Sequence, residues 1–132
     1  MNSSGSILVI DDNRQLRDLL GDTLSKKGYT VTRASDGAEA FAAIAQTKFD
    51  IVITDLLMPE KDGIEVIGEL RRKQPSARIV AMSGGGRGSR AHYLEMATGL
   101  GAHAILGKPF SVSELNAALA ACMQAPPPNA AT

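Results

Sequence analysis

Short apolar runs rich in β-branched residues alternate along this chain with patterns of helical spacing, and no other feature narrows the possible folds as far. The runs cover residues 7–10, 51–54, 79–82 and 104–106, with a weaker one at 30–34. Continuous apolar runs this short suit strands of a parallel sheet buried on both faces. Between them, Leu16, Leu19, Leu20 and Leu24 recur at helical spacing behind Asp12-Asn13, which can cap, and Gly28 stops that helix. Phe41, Ile44 and Ala45 mark a second helical pattern. Ile64, Ile67 and Leu70 mark a third, ended by Pro75. Tyr93, Leu94, Ala97 and Leu100 mark a fourth. The fifth opens on Ser111-Val112-Ser113-Glu114, which reads as a capping box, and runs through Leu115, Leu119 and Met123. Five β-α units in strict alternation predict one α/β domain with five helices around a central parallel sheet. In such sheets ligands bind beyond the carboxyl ends of the strands, where the strand order reverses.

Composition limits what such a domain can do. The length of 132 residues fits one domain. With no Trp and 4% aromatic residues, the core must come from Val, Ile, Leu, Met and Ala, and Met58, Met82, Met96 and Met123 read as core fillers. Fourteen basic and fourteen acidic side chains give zero formal charge, so no footprint for nucleic acid or an anionic membrane surface is expected. No apolar run approaches the roughly 18 residues of a membrane helix. A single cysteine, Cys122, excludes an internal disulfide and a zinc cluster. This permits a reducing compartment, and a cytoplasmic location is expected. Residues 1–6 read as a flexible arm, 7–124 as the domain, and the Pro- and Ala-rich 125–132 as a disordered tail.

The chemistry gathers at the strand ends. Asp11-Asp12 follow the first strand, Asp55 the third, Ser83 the fourth, and Lys108-Pro109 the fifth. Each has an ordinary reading. Asp11-Asp12 can cap a helix, Asp55 and Ser83 can begin turns, and Lys108 can be a solvated turn residue. Their conjunction favours a site, because four separate strand ends supply complementary groups. Crowded carboxylates repel one another unless a cation sits among them. A hard divalent ion such as Mg²⁺ or Mn²⁺ takes oxygen ligands, which points to Asp12 and Asp55 as direct ligands and Asp11 as one acting through water. Asp55 can then serve as a carboxylate nucleophile that forms an acyl phosphate. Lys108 pairs with a phosphoryl oxygen and Ser83 donates a hydrogen bond to another.

At these residues the sequence resembles the response-regulator receiver family, over nearly all of residues 7–123. The carriers are Asp11-Asp12, the run Asp55-Leu56-Leu57-Met58-Pro59-Glu60-Lys61-Asp62-Gly63, then Ser83 and Lys108-Pro109-Phe110. The resemblance implies a flavodoxin-like doubly wound sheet of order 2-1-3-4-5. It implies that Asp55 is phosphorylated from a phosphohistidine on a histidine kinase or phosphotransfer protein, and that the Leu57 backbone carbonyl joins the metal ligands. A partner kinase is expected to dock over the first helix and the Pro109-Phe110 loop, with Arg14, Gln15 and Asp18 as exposed contacts there.

Three features depart from the family pattern. Ile105 stands where members carry an aromatic switch residue, so the switch rests on Ser83 and an isoleucine. The loop from Gly84 to Arg90 is about three residues longer than the compact form, and its glycines predict mobility. An output domain after the fifth helix is not expected, which would fit the single-domain type signalling by protein contact. That loop lacks the Lys-Ser/Thr end of a nucleotide-binding loop. His92 and His103 read as structural or surface residues, and Arg87 and Arg90 as solvated. A phosphorelay shuttle, passing the group to a second histidine protein, is the alternative within the family. A metal-dependent phosphohydrolase would need an acid two residues after the nucleophile, where Leu57 stands, and a pseudo-receiver would not need the acidic cluster.

Overall fold

A computed structural model of the protein describes residues 5–56, 63–83, 99 and 101–124. These form five strands, β1 (Ser6–Ile10), β2 (Thr30–Ala34), β3 (Ile51–Asp55), β4 (Arg78–Ser83) and β5 (Ala104–Gly107). They also form helices α1 (Arg14–Lys26), α2 (Gly37–Gln46), α3 (Gly63–Lys73) and α4 (Val112–Gln124). All four strand pairs are parallel, in the order β2-β1-β3-β4-β5. The order reverses between β1 and β3, so the carboxyl ends of those two strands flank the crevice where ligands of such sheets bind.

The sheet order is the expected one, but the five helices are not found: the described residues hold four. The fourth pattern, Tyr93 to Leu100, lies outside the described residues, apart from Gly99. That expectation rested on apolar spacing alone. The loop from Gly84 to Arg90, with Arg87, Arg90 and His92, also lies outside the described residues, as do residues 1–4 and 125–132.

The helices start and stop for local reasons. The Asn13 side chain accepts from the Leu16 amide at 3.0 Å and caps α1. Gly28, at φ +102°, ends it, with the Gly28 and Tyr29 amides returning to the Ser25 and Leu24 carbonyls. Asp36 caps α2 through the Glu39 amide. The expected capping box opens α4: Ser111 Oγ accepts from the Glu114 amide at 3.0 Å, and Glu114 Oε1 from the Ser111 amide at 2.8 Å.

Alternation along the strands then fills two apolar layers. Leu8, Ile10, Val52 and Ile79 pack with Ala40, Ile44, Val66, Ile67 and Leu70 of α2 and α3. Ile7, Val9, Ile51, Ile53, Val80 and Met82 pack with Leu20 and Leu24 of α1 and Leu115, Leu119 and Cys122 of α4. Both faces of the sheet are therefore covered, as all-parallel pairing requires. Three apolar expectations fail. Leu19 is 62% exposed, Met123 is 50% exposed, and Ala45 also faces outward, because each lies a step off its helix's buried stripe. Met82 is a core residue as expected, while Met58 and Met96 lie outside the described residues. The buried Cys122 thiol is pushed up to about 11 by loss of solvent, which leaves it un-ionised at neutral pH.

His103 joins β4 to the approach of β5. Its amide donates to the Ile79 carbonyl at 2.7 Å, and its Nδ1 accepts from the Ile79 amide at 3.0 Å. The ring must be neutral at Nδ1 to accept. Burial, then the charges of Arg78 and Arg71, hold its pKa below the ordinary value. A folded-state value depressed below an unfolded value of about 6.5 means that the contribution is present above that pH and is lost as pH falls through and below it. Denaturant melts at pH 7.5 and 5.5 should show a larger loss of stability for the wild type than for His103→Gln, whose amide oxygen accepts without titrating. Equal losses would contradict this assignment.

Candidate functional site

The end of β1 is fixed from several directions. The Asp11 amide makes the last bond to β2, donating to the Ala34 carbonyl at 3.2 Å. The Asn13 amide donates to Asp11 Oδ1 at 2.8 Å, and Arg17 Nη1 donates to the Asp11 carbonyl at 2.9 Å. Asp11 is wholly buried and Asp12 is exposed beside it. On the other side of the crevice Asp55 closes β3 at 5% exposure. Its backbone is backed by the first residue of α3: the Gly63 amide donates to the Leu56 carbonyl at 3.3 Å, and a Cβ on Gly63 would collide with the Asp55 carbonyl oxygen.

Lys108 reaches this crevice from the end of β5. Its amide donates to the Ser83 carbonyl at 2.9 Å, which places the residue across the end of β4 from Asp55. Its ammonium then spans two carboxylates, 2.7 Å from Asp11 Oδ2 and 2.9 Å from Asp55 Oδ2. Burial works to lower the Lys108 pKa, but hydrogen bonds and charge from Asp11 and Asp55 outweigh it and hold the group above its ordinary value. The ammonium therefore stays charged throughout the neutral range.

One carboxylate oxygen from each of Asp11, Asp12 and Asp55 lies within 4.8 Å of the other two. Three carboxylates against one ammonium leave negative charge at the crevice. Asp11 Oδ2 is buried, and the Lys108 ammonium at 2.7 Å is its partner. That single ammonium is shared with Asp55, so the buried carboxylates are only partly compensated and a further cation would be favourable there. An all-oxygen donor set with this spacing fits a hard divalent metal ion. The cluster can coordinate such an ion.

The remaining expected residues are placed as follows. Ser83 ends β4, buried beside this crevice. Ile105 lies on β5 in register with Ala81, half-buried against the α2/α3 layer. Leu57 lies outside the described residues. Arg14, Gln15 and Pro109 are exposed, and Phe110 packs partly against the α1/α4 layer. Asp18 is held in ion pairs, with Arg33 at 3.1 Å and Arg14 at 3.8 Å. Sequence reasoning missed two residues of the site. Arg17 reaches back to the Asp11 carbonyl, and only its position one turn into α1 hinted at this. Gly63 was noted as part of a motif, without the close backbone approach that requires it.

The comparisons with known proteins agree with this geometry. A family model described as the response regulator receiver domain matches residues 7–120. The response regulator MprA of Mycobacterium sp. (strain KMS) is 38% identical over 125 residues, covering 93% of this chain and 52% of that protein. The chain thus spans about half the length of the curated relatives it matches. Among solved structures, the response regulator protein TrrA from Thermotoga maritima, in complex with Mg²⁺-BeF, superposes with a TM-score of 0.74 at 32% identity, over 87% of this chain and 96% of that one. A response regulator protein from Burkholderia pseudomallei, with a phosphorylated aspartic acid, calcium ion and citrate, gives 0.75 at 34% identity, over 86% and 65%.

Proposed function

Because the chain belongs to the response regulator receiver domain family, we propose that it takes a phosphoryl group onto Asp55 from a histidine kinase or phosphotransfer protein and signals by protein contact. The observation that carries this is the Asp55 carboxylate, at a strand end beside two more carboxylates and 2.9 Å from the Lys108 ammonium. A carboxylate oxygen of Asp55 attacks phosphorus, an acyl phosphate O–P bond forms, and the P–N bond to the donor imidazole breaks as that ring leaves. Asp12 and Asp55 would hold the ion directly, Asp11 through water, and the Leu57 carbonyl would complete the set. A Mg²⁺ or Mn²⁺ ion there would neutralise charge on the incoming group. The phosphorylated aspartic acid with calcium ion and the Mg²⁺-BeF complex, each seen in a similar protein, support the reading.

Lys108 changes partners during this reaction. It leaves Asp55 Oδ2 for a phosphoryl oxygen, and Ser83 donates its hydroxyl to another. The acyl phosphate carries roughly 1.5 to 2 negative charges where the carboxylate carried one, together with new acceptor oxygens, and the strands bearing Ser83 and Ile105 carry the change toward the surface. Arg14, Gln15, Asp18, Pro109 and Phe110 form the surface offered to the donor.

Intact-mass measurement after incubation with a small acyl phosphate tests the reading. One labile phosphoryl group per chain is expected with Mg²⁺ and none after chelation. A chain that stays unmodified under conditions that label another receiver domain would overturn it.

A further inference from the structure

Asp11 has four polar groups, and three are already committed. Its amide donates to the Ala34 carbonyl, its Oδ1 accepts from the Asn13 amide, and its carbonyl accepts from Arg17 Nη1 at 2.9 Å. Only Oδ2 is turned toward Lys108 and the metal-binding oxygens. The carbonyl is the informative one, because it belongs to the peptide plane that leads into Asp12. Asp12 is exposed, and no hydrogen bond or ion pair to its carboxylate is found among the described residues. Its direction is therefore set mainly by the backbone it hangs from. Arg17 is half-buried, and its own amide starts the α1 ladder by donating to the Asn13 carbonyl at 3.0 Å. The guanidinium is thus tied to the same turn it restrains. Its charge also faces Glu39, whose carboxyl lies below its ordinary value chiefly through hydrogen bonds from Ser35 and, to a smaller degree, through Arg17.

We propose that Arg17 is a positioning residue for the divalent cation: by holding the Asp11 carbonyl it fixes the Asp11–Asp12 peptide, and so aims the Asp12 carboxylate at the ion that Asp55 shares. This deepens the phosphoacceptor reading and rests on it. Partners that orient metal ligands without touching the metal change affinity by roughly 10- to 100-fold when removed. The sign separates this role from plain electrostatics. Deleting a positive charge close to a cation site strengthens cation binding through Coulomb's law alone. Loss of positioning weakens it.

Mn²⁺ binding, followed by the electron paramagnetic resonance signal of the free ion, provides the test. Wild type, Arg17→Met and Arg17→Lys are titrated at a temperature where circular dichroism shows each to be folded. Arg17→Met should bind Mn²⁺ roughly tenfold more weakly than wild type. Arg17→Lys, which keeps the charge and one donor in reach, should recover most of that loss. Should Arg17→Met prove unfolded, Arg17→Gln takes its place with the same expected weakening. Affinity unchanged or strengthened in the folded neutral variants overturns the proposal while leaving the phosphoacceptor reading intact. A wild type that binds no Mn²⁺ overturns both.

Discussion

Asp55→Asn should take up no phosphoryl group from a small acyl phosphate under conditions that label the wild type to completion. The amide has no anionic oxygen to attack phosphorus, so the rate should fall at least about 100-fold, to the background of the method. The fold should survive, because Asn keeps the shape of Asp and the Lys108 ammonium keeps Asp11 Oδ2 at 2.7 Å. Removing one of three clustered carboxylates also relieves repulsion in the metal-free protein. Thermal melts in the absence of divalent ions should therefore place the variant within about 1 kcal/mol of wild type, or above it. An adduct of wild-type size on Asp55→Asn would mean that another side chain is the acceptor.

Two glycines of the same helix should respond to alanine with opposite signs. At Gly63 a Cβ would overlap the Asp55 carbonyl oxygen and stand 2.8 Å from Leu56 Cα. Both are backbone atoms at the end of a buried strand, so neither can swing aside as a side chain could. Gly63→Ala should cost about 2–3 kcal/mol in denaturant unfolding, in the upper range for overpacking. It should also slow Asp55 phosphorylation, since relieving the clash means moving the backbone that carries the nucleophile. At Gly68 a Cβ meets nothing within 4 Å, and the site is an exposed position inside α3. Gly68→Ala should stabilise the protein by roughly 0.5–1 kcal/mol, the difference in helix propensity. Equal effects at both positions would show that the start of α3 does not press on the Asp55 strand.

These particular residues also mark how far the sequence could be read. Asp11, Asp55 and Lys108 were legible because strand ends announce themselves: a β-branched run stops and a charged residue follows. The sheet geometry then brings such ends together whatever their distance in the chain. The pairing of Lys108 with both Asp11 and Asp55 follows from that convergence. Arg17 was not legible, because an arginine one turn into an amphipathic helix looks the same whether it points to solvent or folds back onto a carbonyl. The burden on Gly63 was equally hidden, since a close approach of two backbones leaves no periodic mark. Apolar spacing misled at Leu19 and Met123, where residues of the right type stand at the wrong angle around the helix. His103 reads from the sequence as a structural or surface residue, and its Nδ1 bond to the Ile79 amide gives it the structural role.

The central claim is that the phosphoryl group lands on one carboxylate, at the strand end where Lys108 and the acidic cluster meet. Borohydride reduction of the phosphorylated chain converts an aspartyl phosphate to homoserine, and tandem mass spectrometry of its peptides then locates that residue. The account predicts homoserine at position 55, dependent on divalent cation and absent after chelation. Homoserine at Asp11, Asp12 or any other carboxylate, with Asp55 intact, would contradict it.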